Sequence, residues 1–445
     1  MRSIEAITQR EVAEYRRRNP RSEVQHQRAL KVIPGGTTRT LMWFPPFPFY
    51  AAQGSGSRLT DLDGNERIDF YGNASSLILG YQHPAVARAI AEQAAKGTVF
   101  QVPSGPEVEL AELLCERVPS VEQVRYTNSG TESTLIAVRA ARAFTGRPVL
   151  AKFEGGYHGT LDEVSLSIRP DPAQAGDRER PTPVPASRGI PPHVAEGVII
   201  LPFNDADGTA RILREQGRRV AGVIVEPIQG GAGYIPARPE FLESLRKVTA
   251  EIGSVLVFDE VQTLRVAPGG AQAVFGVTPD LTTMGKIIGG GFPVGAIGGR
   301  ADLMALFDGT KGKPAIPHAG TFNGNPMGMA AGLATMRELT PEVYQRLATM
   351  GARLRREIAR VCEKHGVPAQ VTGDASFFKI HFTAEPIADV RDAQRSDPAM
   401  EYAAFLGLLN RGIFPGPGCR GCVSGVMTEA DVAGFATALE DVFAS

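Results

Sequence analysis

Leu281-Thr282-Thr283-Met284-Gly285-Lys286-Ile287-Ile288-Gly289-Gly290-Gly291 is the stretch on which the fold turns. A short apolar run delivers a lysine, and a triple glycine then lets the backbone pass close to something bulky. Upstream, Val255-Leu256-Val257-Phe258-Asp259 ends a second buried-looking run on an acid. Around these two, short β-branched runs alternate with helical patterns. Strands are expected at Val121–Thr127, Val149–Phe153, Val198–Phe203, Val220–Glu226, Val255–Asp259, Leu281–Met284 and Val294–Gly298. Helices are expected at Glu132–Phe144, closed by Gly146, and at Phe241–Ile252. Such alternation implies a mostly parallel sheet flanked by helices on both faces, an α/β fold. Ligands of these sheets bind beyond the carboxyl ends of the strands. Ser129, Tyr157, Glu226, Asp259 and Lys286 all fall there.

At 445 residues the chain exceeds one ordinary core. We expect an N-terminal segment (1–75) joining a small α+β domain (327–445), with a large ligand-binding domain (76–326) between them. Helices are expected near Gly328–Leu339, Pro341–His365 and Glu429–Phe443, and strands at Gln370–Val371 and Phe377–Phe382. Pro170–Pro192, rich in proline and charge, reads as a long surface loop. With 47 basic and 48 acidic side chains the net charge is −1, which argues against a nucleic-acid or membrane-surface partner. No run approaches a membrane span. Met1–Leu30 reads as an amphipathic helix without the apolar centre of a signal peptide, so a cytoplasmic location is expected. Cys419-Arg420-Gly421-Cys422 has metal-ligand spacing but no second pair or nearby histidine, so no metal is expected and the cysteines read as free thiols.

Four further segments bear on chemistry. Asn128-Ser129-Gly130-Thr131-Glu132 stands between strand and helix, where free N–H groups, two hydroxyls and the helix dipole suit a phosphate. The plainer reading is an N-cap by Ser129 or Thr131. Phe153-Glu154-Gly155-Gly156-Tyr157-His158-Gly159 offers a ring that could stack on a planar cofactor, or simply pack. Asp259 needs a cationic partner at its depth: a protonated pyridine nitrogen, or an arginine elsewhere in the core. Gly320-Thr321-Phe322-Asn323-Gly324-Asn325-Pro326 could complete a phosphate cup. A lysine and an acid at two strand ends suit pyridoxal 5'-phosphate, the lysine forming a Schiff base and the acid pairing with the ring nitrogen.

Together these segments, with Pro34-Gly35-Gly36, Asp61-Leu62-Asp63-Gly64-Asn65, Leu79-Gly80-Tyr81-Gln82-His83-Pro84 and Val225-Glu226-Pro227, resemble the class III pyridoxal-phosphate aminotransferases of fold type I. The similarity runs from about Gln27 to the C-terminus. It is nearest the branch holding glutamate-1-semialdehyde aminomutase and β-amino-acid aminotransferases. The resemblance implies that Lys286 is both the Schiff-base lysine and the proton-moving base. It implies that Asp259 holds the pyridinium, that Ser129, Gly130 and Thr131 bind the phosphate, and that Tyr157 stacks on the ring beside His158. Gln262 would touch the ring hydroxyl, and Glu226 would be a structural glutamate near the ring. Thr321 would reach the phosphate of a neighbouring subunit, which implies a homodimer with shared sites.

Departures from the family narrow the activity. The switch glutamate of ornithine- and GABA-type members is replaced by Gly231. Ala74 stands near the tryptophan of the mutase, Gln262 replaces its methionine, and Thr37-Thr38-Arg39-Thr40-Leu41 differs from its early loop. Arg39 followed by Trp43-Phe44-Pro45-Pro46-Phe47-Pro48 resembles the β-amino-acid branch. Arg39 is therefore expected to bind a substrate carboxylate, Trp43 and Phe44 to line the pocket, and Arg420 to be a second carboxylate ligand. The expected activity is amino transfer between an amino acid and a keto acid; the alternative is the aminomutase or another isomerase of the same fold.

Overall fold

The β-branched runs form one seven-stranded sheet in the computed structural model, which describes residues 4–444. In chain order the strands are β1 (Gln123–Thr127), β2 (Val149–Phe153), β3 (Val198–Leu201), β4 (Val220–Val225), β5 (Val255–Asp259), β6 (Leu281–Gly285) and β7 (Gly295–Gly299). They lie in the order β1-β7-β6-β5-β4-β2-β3. Pairing is parallel between β6, β5, β4, β2 and β3, whereas β7 runs antiparallel to β6 and β1. Strands β2, β4, β5 and β6 are buried along their whole length, which is why none of them alternates apolar and polar residues and β4 and β5 read as nearly continuous apolar runs. One face is closed by the helix Gly130–Thr145, whose Ile136, Ala137 and Ala141 join Val257, Leu281 and Ile297 in a core cluster.

The chain divides into two compact units. The unit holding the large sheet is Pro84–Gln345 with a short return at Ala388–Ala393; the other is Met1–His83, Arg346–Ile387 and Gln394–Ser445. These divisions fall later than the expected ones after residues 75 and 326. The physical reason at the second boundary is the helix Pro326–Glu338, which lies directly on the turn that follows β6. A Cβ built on Gly332 would stand 1.9 Å from the carbonyl oxygen of Ile288, so only glycine permits the approach.

In the other unit, two helices replace the single one expected at the start: Ile4–Arg18 and Pro20–Ala29 part at the buried Asn19, because Pro20 has no N–H to continue the ladder. This unit also holds the strands Gln370–Thr372, Phe377–His381 and Arg420–Cys422 and the helices Pro398–Asn410 and Glu429–Ala444. The proline-rich segment is less of a surface loop than its composition suggests: Gly176–Asp177 pairs with Arg180–Pro181, and Ala175 is fully buried. Among the described residues, no helix is long and apolar enough to cross a membrane.

Candidate active site

Every expected cofactor residue except Thr321 lines one cavity of about 190 Å³ in the large-sheet unit. Val261 and Gly159 complete the lining. The sequence reading passed over Val261; its position two residues beyond the strand-end acid was the available signal.

The wall at Ser129 follows from how a strand becomes a helix. After β1, Ser129 is extended and its Oγ accepts from the Glu132 N–H at 3.2 Å. Glu132 reaches back to accept from the Asn128 N–H at 2.6 Å. Ser129 is thus the N-cap that the plainer reading anticipated. Capping still leaves the first N–H groups of the helix, including those of Gly130 and Thr131, without intrahelical partners and at the positive end of the dipole.

Asp259 closes β5 and is buried. Its Oδ2 lies 2.8 Å from His158 Nδ1, and its Oδ1 accepts from Thr283 Oγ1 and from the Val261 N–H, both at 3.1 Å. Burial holds the His158 ring below its ordinary value, so the neutral ring donates Nδ1–H to the carboxylate. The partner is therefore a histidine and not a core arginine. Thr134 Oγ1 donates to the His158 carbonyl at 2.6 Å and steadies the turn. Glu226, just past β4, accepts from the N–H groups of Tyr157 at 2.8 Å and Gly230 at 3.2 Å. Burial, reinforced by the charge of Asp259, pushes Glu226 up to about 8, and Lys286 acts in the opposite direction. Lys286 opens the turn Lys286–Gly289 with φ +50, a left-handed conformation uncommon for a residue with a side chain. Tyr157 stays 41% exposed, which leaves its ring available to a ligand.

Two buried polar atoms of this cavity, Gln262 Oε1 and His158 Nε2, have no hydrogen-bond partner. Buried polar atoms are normally paired, so the orphan on Gln262 points to a missing ligand, whereas His158 Nε2 faces the Gly156 turn. An open helix N-terminus, an ionisable acid held by a neutral donor, an accessible ring and a lysine fit the phosphate, the ring nitrogen, the ring face and the carbonyl of pyridoxal phosphate.

The expected substrate residues belong to the other unit. Arg39 is exposed and its Nη1 donates to Asn73 Oδ1 at 2.9 Å, while Trp43 is 46% exposed. Arg420 sits on the strand Arg420–Cys422, opposite Lys379. Phe44 is a correction: it is buried, with its ring edge-on to Phe405 at 4.9 Å between centroids, so it serves that unit's core and not a pocket wall. Thr321 is exposed.

The family model for class III aminotransferases matches residues 43–443, and the chain belongs to that family. Its fold is that of the fold type I enzymes, and its cofactor is pyridoxal 5'-phosphate. An omega-transaminase from Sphaerobacter thermophilus has a similar structure, with TM-score 0.92 and 46% identity over 95% of this chain and 97% of that one. A β-phenylalanine aminotransferase from Variovorax paradoxus gives TM-score 0.89 and 36% identity over 99% and 97%. A glutamate-1-semialdehyde 2,1-aminomutase from Methanothermobacter thermautotrophicus is 43% identical over 400 residues, covering 89% of this chain and 92% of that one.

Proposed function

We propose that the chain is an aminotransferase moving an amino group between an amino acid and a keto acid, with a β-amino acid of apolar or aromatic side chain as donor. The observation that carries this reading is the meeting of Lys286, the histidine-backed Asp259 and an open helix N-terminus in one cavity. When bound, pyridoxal phosphate supplies the electron sink for carbanionic chemistry at the substrate carbon. The chain's own groups do the rest. Ser129, Gly130 and Thr131 would bind the phosphate with backbone N–H groups and hydroxyls. The cap bond uses a lone pair of Ser129 Oγ and leaves its proton free to donate. Asp259, kept in register by His158 and Thr283, would hold a proton on the ring nitrogen. Tyr157 would cover the ring face, Gln262 would meet the ring hydroxyl, and Glu226 would anchor the Tyr157 backbone. Lys286 Nζ would tether the cofactor, then take a proton from the substrate carbon and return it. Thr321, exposed and outside the cavity lining, suits a contact to the phosphate of a partner copy in a homodimer.

Amino transfer is favoured by the structural similarity to an omega-transaminase and a β-phenylalanine aminotransferase, and by the departures from the mutase pattern at Ala74 and Gln262. In the substrate reading, Arg39 grips a carboxylate through two parallel hydrogen bonds, Trp43 contributes apolar surface and Arg420 is a second ligand. The 43% identity to an aminomutase favours the second reading, intramolecular transfer on glutamate semialdehyde. A single-turnover experiment separates the two. The enzyme is loaded with a β-amino acid, freed of excess donor and given a keto acid. Release of a new free amino acid supports the transferase; efficient formation of 5-aminolevulinate from glutamate semialdehyde supports the mutase. Arg39→Ala should raise KM for carboxylated donors far more than for 1-phenylethylamine, and equal effects would remove Arg39 from the site.

A further inference from the structure

Behind the cavity lies a set of buried charges that this mechanism leaves unused. Lys152 and Glu154 stand two residues apart at the end of β2, both buried. Lys152 Nζ donates to the carbonyls of Leu166 at 2.5 Å and Phe153 at 3.2 Å. Glu154 accepts a bidentate pair from Arg391: Nε to Oε2 at 2.7 Å and Nη2 to Oε1 at 2.9 Å. Arg391 also donates to the carbonyls of Gly176 at 2.8 Å and Ala175 at 3.0 Å.

Arg391 arrives on the return Ala388–Ala393, which belongs to the large-sheet unit although the chain on either side does not. The return is fastened independently. Arg178 bridges to Asp389 and Asp392 at 2.9 and 2.8 Å, and Asn204 Nδ2 donates to the Ala388 carbonyl at 3.1 Å. Val390 is pressed on the turn that carries Tyr157: a Cβ on Gly155 would lie 2.8 Å from Val390 Cβ.

We propose that Arg391 is a positioning residue of the cofactor site, which by gripping Glu154 fixes the turn 154–159 and so the ring of Tyr157. The turn has little stiffness of its own, because Gly155 and Gly159 take φ +85 and +94 and Gly156 lies between them. Beyond its own bond of Gly156 N–H to the Phe153 carbonyl, it is held from outside: Glu154 N–H on Leu201 O, Gly155 N–H on Ser167 O, Gln229 Nε2 on the Glu154 carbonyl, Tyr157 N–H on Glu226, Thr134 Oγ1 on the His158 carbonyl, and the Arg391 fork on the Glu154 side chain. Without Arg391, Glu154 is left a buried carboxylate that has lost its fork, and its side chain must shift to find another donor. That movement would pull on Gly155 and displace the ring two residues on. Lysine at 391 restores the charge but not the fork.

This inference rests on the reading that Tyr157 faces the cofactor, and the experiment tests the two separately. Pyridoxal phosphate affinity is measured by equilibrium dialysis for the wild type, Arg391→Met, Arg391→Lys, Tyr157→Ala and the Arg391→Met/Tyr157→Ala double variant. Arg391→Met should weaken binding about tenfold or more, with Arg391→Lys close behind, as expected for loss of a charge-assisted pair. The double variant should bind no worse than Tyr157→Ala alone, a coupling that a merely structural role would not produce. Wild-type affinity in Arg391→Met alongside weakened binding in Tyr157→Ala overturns the inference alone, and so do losses that multiply in the double variant. Unchanged affinity in Tyr157→Ala overturns the underlying reading and the inference with it. If Arg391→Met does not accumulate as folded protein, Glu154→Gln is taken through the same cycle under the same criteria.

Discussion

Replacing Asp259 by asparagine removes a charge and almost nothing else in shape. The amide oxygen can keep both donors now shared by Oδ1, Thr283 Oγ1 and the Val261 N–H. The amide nitrogen must then face His158 Nδ1, where Oδ2 now lies at 2.8 Å. Two N–H groups cannot point at each other, so His158 must move its proton to Nε2, a buried atom without a partner. The charge-assisted bond to the ring nitrogen is lost, at about 1.5 to 3 kcal/mol, and a buried donor is left unsatisfied, at about 1 to 3 kcal/mol. Together these amount to roughly two to four decades in rate at about 1.4 kcal/mol per decade. The assay is a stopped-flow half-reaction with a saturating donor, run beside a cofactor-binding titration. Asp259→Asn within threefold of wild type in both measurements would refute the placement of the ring nitrogen at this acid.

Lys286→Ala should lower turnover by at least about three orders of magnitude, since it removes both the tether and the proton carrier; steady-state rates on folded, cofactor-loaded protein check this. Glu226 binds its proton more tightly when folded, at about 8 against an ordinary 4.5, so its contribution to stability should fall as pH rises through that window. Glu226→Gln should therefore flatten the decline of the denaturant midpoint of the cofactor-free enzyme between these limits, and an unchanged slope would exclude the glutamate as its source. Gly332→Ala drives a methyl group into the Ile288 carbonyl at 1.9 Å and should destabilise by about 1 to 3 kcal/mol, measured by thermal unfolding, with turnover reduced as the Lys286 turn shifts.

The sheet was legible because burial on both faces writes strands as short, mostly apolar runs: Val149–Phe153 and Val255–Asp259 are bounded in the structure as the sequence alone bounds them. The helix after β1 is two residues longer at its start than the expected Glu132, because Ser129 and not a later residue is the cap. Residues at strand ends were legible for the same reason, since topology alone brings Tyr157, Glu226, Asp259 and Lys286 together. What stayed hidden depends on contacts distant along the chain. Nothing local marks Phe44 as core and Trp43 as exposed, because the difference lies in Phe405, hundreds of residues away. Arg391 looks like any charged residue of a helical stretch until Glu154 is seen opposite it. The helix Pro326–Glu338 carries no signal of its allegiance except Gly332, whose meaning appears only against Ile288.

The left-handed backbone at Lys286 has an evolutionary consequence. With φ +50, this position taxes any residue that carries a Cβ, and glycine would relieve about 1 kcal/mol of strain. In a laboratory lineage selected for heat tolerance alone, that strain favours glycine, and the contacts and cofactor tether that Lys286 supplies oppose it. In a lineage selected for turnover as well, the lysine should persist against that gradient, so sequencing both would weigh chemistry against durability at a single codon.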